Sequence, residues 1–488
     1  MIDLTVNEDQ LERTARRCKE RNIIVPTFAQ LKNPDTTPKE IREKLKRVGL
    51  WEIAPENLFR INWKNEPVAK GGLFRQIPNY IELPPELTGV EARIIGLVGK
   101  WFPTGSHKVG ATFGCLVPAL VTGQFDPTRH KAVWPSTGNF CRGGAYVATL
   151  LGCQSIAILP EQMSPERFQW LQTVAGEIIA TPGSESNVKE IFDKVWELKR
   201  TREDIFVFNQ FAEFGNYLYH YGVTGPAMKE VIQKEAASGN FQGICLTTGS
   251  SGTLASGDYL KQIYPASKIA AGEALQCPTL LQNGYGAHRI EGIGDKHVPW
   301  IHNVRNTDMV IGIDDNDSIN LIRLFNEPAG KKYLGSEIGI GDKLVTKLGL
   351  LGISSAANIL MAIKFARYYE LGRKDVILTV FTDSMEMYGS RLKEIRNKYG
   401  DYSRDNAVRD YYRNLMSIKT DSMIELTHYD RKRIHHLKYF TWIEQQMFDL
   451  AELNRQWYDY ENYWSEKQKL IPKIDGLINR LNERIGSN

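Results

Sequence analysis

Between residues 96 and 390 the chain alternates two kinds of apolar pattern. Short runs rich in Val, Ile and Ala predict strands at 93–98, 131–134, 155–159, 178–181, 206–209, 243–247, 269–274, 309–313 and 376–381. Segments with apolar positions three or four apart predict helices between most of them, among them 140–151, 166–175, 188–199, 253–264 and 356–369. Such alternation builds open, mostly parallel α/β sheets, with ligands beyond the carboxyl ends of the strands.

The two flanks differ from this middle. Residues 1–95 are polar and proline-bearing, with one helical run at 39–48, and read as an N-terminal extension wrapping a larger body. After Ser390 the strand signal stops. Residues 391–488 read as a helical C-terminal extension, dense in aromatics at Tyr439-Phe440-Thr441-Trp442 and from Trp457 to Trp464. A helical appendage packing those rings onto the core is the expectation; a surface for a protein partner is the alternative.

Composition narrows the field without naming a chemistry. The 488 residues are 42% hydrophobic and 24% charged, enough chain for two or three domains and a large core. A net charge of +4, with Lys and Arg dispersed, makes no electrostatic case for nucleic acid or an anionic membrane. No run approaches the roughly 20 apolar residues that span a bilayer. The start, Met1-Ile2-Asp3-Leu4-Thr5, lacks the basic and apolar regions of a signal peptide. Six cysteines without a C-x-x-C pair and nine histidines without metal-ligand spacing predict a cytoplasmic protein with no bound metal.

Candidate chemistry concentrates in polar loops. Lys108 follows Thr104-Gly105-Ser106-His107, which predicts a helix start capped by Ser106 and running towards Gly123 with a kink at Pro118. A lysine in the first turn meets the positive end of the helix dipole, which favours the neutral amine that attacks an aldehyde. Ser136-Thr137-Gly138-Asn139 closes a strand and opens a helix, so its amides and hydroxyls form a nest for a carboxylate, and Asn139 suits a phenolic oxygen. Gly249, Ser250, Ser251, Gly252 and Thr253 also lie between a strand and a helix, where glycines let backbone amides close on a phosphate. The last strand leads into Thr382-Asp383-Ser384. Asp383 would keep a ring nitrogen protonated, whereas Thr382 or Ser384 would leave it near neutral. Singly, each loop is an ordinary turn or helix start. In this order they are the parts that hold pyridoxal phosphate and work on an amino acid.

From roughly residue 81 to 391 these motifs resemble the pyridoxal-phosphate enzymes of the tryptophan-synthase-β fold (fold type II), above all the cysteine synthase and threonine synthase branch. The resemblance implies two subdomains with twisted, mostly parallel sheets flanked by helices, and cofactor in the cleft between them. Residues 96–390 would be the catalytic core, with 126–225 a smaller mobile subdomain inside it. Lys108 would be the catalytic lysine, holding the cofactor and moving the α-proton. Asn139 would meet the cofactor's phenolic oxygen and Gly249, Ser250, Ser251, Gly252 and Thr253 its phosphate, with Thr382 and Asp383 as further cofactor contacts. Ser136, Thr137 and Gly138 would hold the substrate carboxylate, helped by Gln210 of Asn209-Gln210-Phe211. Gly292-Ile293-Gly294 and Gly352-Ile353-Ser354-Ser355 resemble two further stretches near the cofactor. Phe140, where cysteine synthases carry a small polar residue, and Asp383, where they carry Ser, depart from the pattern.

The implied activity is β-elimination or β-replacement on a small L-amino acid of the serine or cysteine type, through a Lys108 aldimine and an aminoacrylate. Threonine-synthase-like γ-replacement and amino-acid ammonia-lyase chemistry use the same core. A non-catalytic scaffold or regulatory subunit that keeps the fold is the reading from a different class. Analogy alone suggests a homodimer.

Overall fold

The computed structural model describes residues 2–136, 138–183, 188–236, 239–294 and 296–486, and its strands form two separate sheets. The smaller holds β3 (Lys131–Pro135), β4 (Gln154–Pro160), β5 (Glu177–Thr181) and β6 (Ile205–Val207) in the order β5–β4–β3–β6, all parallel. The larger has the order β1–β2–β10–β7–β8–β9–β11. Its five central strands, β2 (Arg93–Val98), β10 (Asp375–Phe381), β7 (Asn240–Thr247), β8 (Lys268–Ala274) and β9 (Met309–Ile313), run parallel. Antiparallel edges close it: β1 (Tyr80–Leu83) on β2, and β11 (Met423–Glu425) on β9.

Both faces of the small sheet are covered, so its strands are nearly unbroken apolar runs. Val133, Ile156 and Ile158 face the helix Val188–Thr201 through Ile191, Val195 and Leu198. The alternate residues Ala132, Trp134, Ala157 and Leu159 join the main core with the helix Asn139–Leu150. Each fully buried Val or Ile contributes about 1.5–3 kcal/mol by its removal from water. In the large sheet the buried helix Ile353–Tyr368 covers β10 and β7.

The nine sequence-derived strands all appear, within a few residues of the expected bounds. Two short edge strands do not come from the pattern. β1 falls within the stretch read as an N-terminal extension, and β11 lies beyond Ser390, where only helix was expected. A second correction is the helix Glu8–Glu20, capped by the Asn7 side chain, in a region assigned one helical run. Its apolar stripe is thin, Leu11, Ala15 and Cys18 among charged residues, and it is completed by packing on the helix Leu470–Ile485. Arg480 and Arg484 reach Glu8 across that contact. Among the described residues no single helix is long and apolar enough to cross a membrane.

Candidate active site

The polar loops gather where parallel strands end: 99–108 after β2, Ser136, Gly138 and Asn139 after β3, Gln210 after β6, 248–253 after β7 and 382–384 after β10. Lys108 is the first residue of the helix Lys108–Val121, with His107 in the cap position; the Ser106 hydroxyl accepts from the Lys108 amide at 3.4 Å, one residue earlier than the assigned cap. The helix runs through Pro118. It crosses the helix Phe214–Tyr219 at close range because glycines meet there. A Cβ on Gly110 would stand 2.0 Å from the Tyr219 ring, and one on Gly114 2.2 Å from the Gly215 carbonyl.

That crossing brings Asn216 beside Lys108 and starts a chain of hydrogen bonds. Lys108 Nζ donates to Ser250 Oγ at 3.2 Å, and Asn216 Nδ2 donates to the same oxygen at 2.9 Å. Asn216 Nδ2 also donates to the Gln210 carbonyl at 3.0 Å, and Gln210 Nε2 donates to Ser136 Oγ at 3.1 Å. Lys108, Ser136, Asn139, Phe140, Gln210, Phe211, Gly249, Ser250 and Gly292-Ile293-Gly294 line one narrow cavity of about 20 Å³. Thr137 lies outside the described residues. Gly138 has no room for a side chain, because a Cβ would stand 2.2 Å from Arg167 Nη1.

The loop after β7 is strained at one residue. Ser251 sits at φ 61°, a left-handed conformation costly for a residue with a Cβ, and its hydroxyl is buried without a partner. Gly252 is required by Asn216, whose Oδ1 would lie 2.1 Å from an added Cβ. The Thr253 carbonyl accepts from the Ser256 hydroxyl at 2.7 Å.

Asp383 is fully buried. Its Oδ2 accepts from Asn139 Nδ2 at 2.6 Å and from the Tyr388 hydroxyl at 2.7 Å. Burial raises its carboxyl above the ordinary range, while Tyr388, Arg167 and Asn139 pull it back. Arg167 donates to the Tyr388 oxygen at 3.1 Å and pairs with Glu291 at 2.9 Å; Glu291 also pairs with Arg391. Thr382 is half-buried and outside the cavity lining, its carbonyl accepting from the His107 amide at 3.4 Å.

Ser354 and Ser355, in the Gly352-Ile353-Ser354-Ser355 stretch that the sequence offered, begin the helix Ile353–Tyr368 with buried, unpartnered hydroxyls. Asn216, Arg167 and Tyr388 carry no local signal. Unpartnered buried polar atoms cost about 1–3 kcal/mol each. The Ser251 and Ser354 hydroxyls can donate and therefore suit a polar ligand with an anionic group, as pyridoxal phosphate is, whereas Asn139 Oδ1 can only accept.

A family described as pyridoxal-phosphate dependent enzyme matches residues 101–336. Cysteine synthase of Staphylococcus aureus (strain N315) is 30% identical over 287 residues, covering 59% of this chain and 84% of that protein. The chain belongs to the pyridoxal-phosphate dependent enzymes. It is an enzyme of amino-acid metabolism that uses this cofactor. Cystathionine beta-synthase of Saccharomyces cerevisiae is 24% identical over 314 residues, 62% of this chain and 58% of that one. Among solved structures, cysteine synthase of Entamoeba histolytica superposes with a TM-score of 0.56 at 22% identity, over 70% of this chain and 93% of its own. The α/β architecture is that of fold type II enzymes.

Proposed function

We propose that the chain carries out β-elimination or β-replacement on a small L-amino acid of the serine or cysteine type, with Lys108 as its catalytic residue. The observation that carries this reading is the bonded chain from Lys108 through Ser250, Asn216 and Gln210 to Ser136, which ties the amine to a phosphate-type loop and a carboxylate-type turn. The cysteine synthase and cystathionine beta-synthase relatives support the β-chemistry.

Ser250, Ser251 and the backbone of 249–253 would hold the cofactor's phosphate, and Asn139 its phenolic oxygen. The ring nitrogen would lie where the end of β10 meets the start of the helix Ile353–Tyr368, with the Ser354 hydroxyl at hand. Bound there, the cofactor supplies an aldehyde for amines and an electron sink for the charge left when the α-proton departs. Lys108 takes that proton at its Nζ and returns it. Ser136, Thr137, Gly138 and Gln210 orient the substrate carboxylate, while Phe140 and Phe211 exclude water.

Residues 126–225, built on their own sheet, are proposed to move. The cavity of about 20 Å³ has room for little more than one water, which needs about 10–15 Å³ on the same measure, so ligands would enter as the two sheets part. Cytoplasmic location is proposed from the cysteine pattern and a homodimer from the resemblance, and light scattering tests the dimer.

Lys108→Ala tests the whole reading. It is expected to remove the visible absorption of the lysine-bound cofactor and to abolish turnover across serine, O-acetylserine, O-phosphoserine, cysteine and O-phosphohomoserine. Wild-type turnover in that variant ends the proposal.

A further inference from the structure

We infer that Asp383 is a positioning residue: its carboxylate fixes which way round the Asn139 amide lies, and so which atoms Asn139 presents to the cofactor. The inference rests on the pyridoxal-phosphate reading above and reassigns a residue that the sequence offered to the ring nitrogen. Both donors reach one oxygen, Asn139 Nδ2 at 2.6 Å and the Tyr388 hydroxyl at 2.7 Å on Asp383 Oδ2. An oxygen receiving two N–H or O–H groups carries no proton of its own, so this atom only accepts. Asn139 must then turn its NH2 group towards Asp383. Its second N–H is left for an oxygen on the ligand, and its Oδ1 stays buried without a partner. Turned the other way, the amide would set Oδ1 against Oδ2, two acceptors with no hydrogen between them.

The direction is imposed from further out. Arg167 Nη2 donates to the Tyr388 oxygen at 3.1 Å, which leaves the phenolic hydrogen to point at Asp383. Arg167 is held by Glu291, and Glu291 by Arg391, so the order runs inward from a half-buried arginine to the Asn139 turn. Arg167 also fills the space beside Gly138, in that same turn. The second Asp383 oxygen rests against Gly352, where a Cβ would stand 1.9 Å away.

Asp383→Asn, Asn139→Asp and the double exchange in the full-length protein test the assignment, with pyridoxal-phosphate affinity, cofactor absorption spectrum and thermal midpoint as readouts. In Asp383→Asn either orientation of Asn139 finds a partner. Affinity is expected to fall about tenfold, the worth of roughly one hydrogen bond, with a changed ratio of the cofactor's absorption bands. The double exchange rebuilds the bond between positions 139 and 383, so the thermal midpoint recovers. The carboxylate that it sets at position 139 only accepts, so affinity and spectrum stay altered. A purely structural role predicts that all three recover together, and that result overturns the inference. So does Asp383→Asn with affinity within twofold of wild type and an unchanged spectrum. Should Asp383→Asn fail to fold, Tyr388→Phe is expected to change the spectrum in the same direction, and a wild-type spectrum there overturns the inference. Failure of the underlying reading looks different: the wild-type protein binds no pyridoxal phosphate, or Lys108→Ala keeps the lysine-bound absorption.

Discussion

Behind Asn139 the cavity wall is backed by charge: Asp383, Tyr388, Arg167, Glu291 and Arg391 in bonded sequence, with Arg167 and Glu291 both buried. Behind Gln210 and Phe211 the backing is aromatic. Phe211 meets the His297 ring at 4.7 Å and Phe192 at 6.3 Å. Trp442, from the C-terminal extension, meets His297 at 5.6 Å and Phe192 at 6.4 Å and donates its indole N–H to the Val298 carbonyl at 2.8 Å. Farther along, Trp464 packs on Phe214 and Tyr217, on the helix that carries Asn216. Ionic backing is directional and depends on every member being present, because an uncompensated buried charge has nowhere to go. Ring packing has little direction, and its loss is graded with volume. The wall that sets the orientation of an amide is the ionic one; the wall that keeps a shape is the aromatic one.

Removing one charge should therefore cost more than trimming one ring. Arg167→Met leaves Glu291 buried with one partner fewer, and a loss of about 3–5 kcal/mol in unfolding free energy is expected by urea titration. Trp442→Phe keeps a ring in place but gives up the bond to Val298 and part of the indole volume, an expected loss of about 1–2 kcal/mol in the same titration. Equal costs, or a larger one at Trp442, would break the contrast between the walls.

The same contrast explains what could be read in the sequence. Lys108, the 136–139 turn and the 249–253 loop announce themselves because each sits where an apolar run stops and a helix begins, so its chemistry is a local pattern. The central strands are legible for the same reason. The backing is not local. Asn139 and Asp383 stand 244 positions apart, and Arg167 and Tyr388 221 apart, so no window of sequence contains both partners. The aromatic density near Trp442 was visible, but its destination beside Phe211 depends on how the C-terminal helices return to the core. β1 and β11, four and three residues long, are too short for alternation to register and exist because an edge of the large sheet accepts them.

His297 stands against the Phe211 and Trp442 rings of the aromatic wall, and near neutral pH its titration gives a small effect. Burial pushes His297 down to about 3, far below the ordinary histidine value of 6.5. As pH falls below 6.5 the unfolded chain takes up a proton at this position and the folded chain does not until about pH 3. The unfolded state thus binds more protons across that window, and stability rises with pH there. The contribution is fully present above pH 6.5 and is lost on acidification, by about 0.7 kcal/mol between pH 7 and pH 6 and by up to about 1.4 kcal/mol per unit below that. His297→Leu, which has no proton to gain, should flatten the pH dependence of stability by that amount relative to wild type, measured as unfolding free energy at pH 7, 6 and 5. An unchanged slope would mean that His297 is protonated in the folded protein, and a charge would then stand against the Phe211 and Trp442 rings.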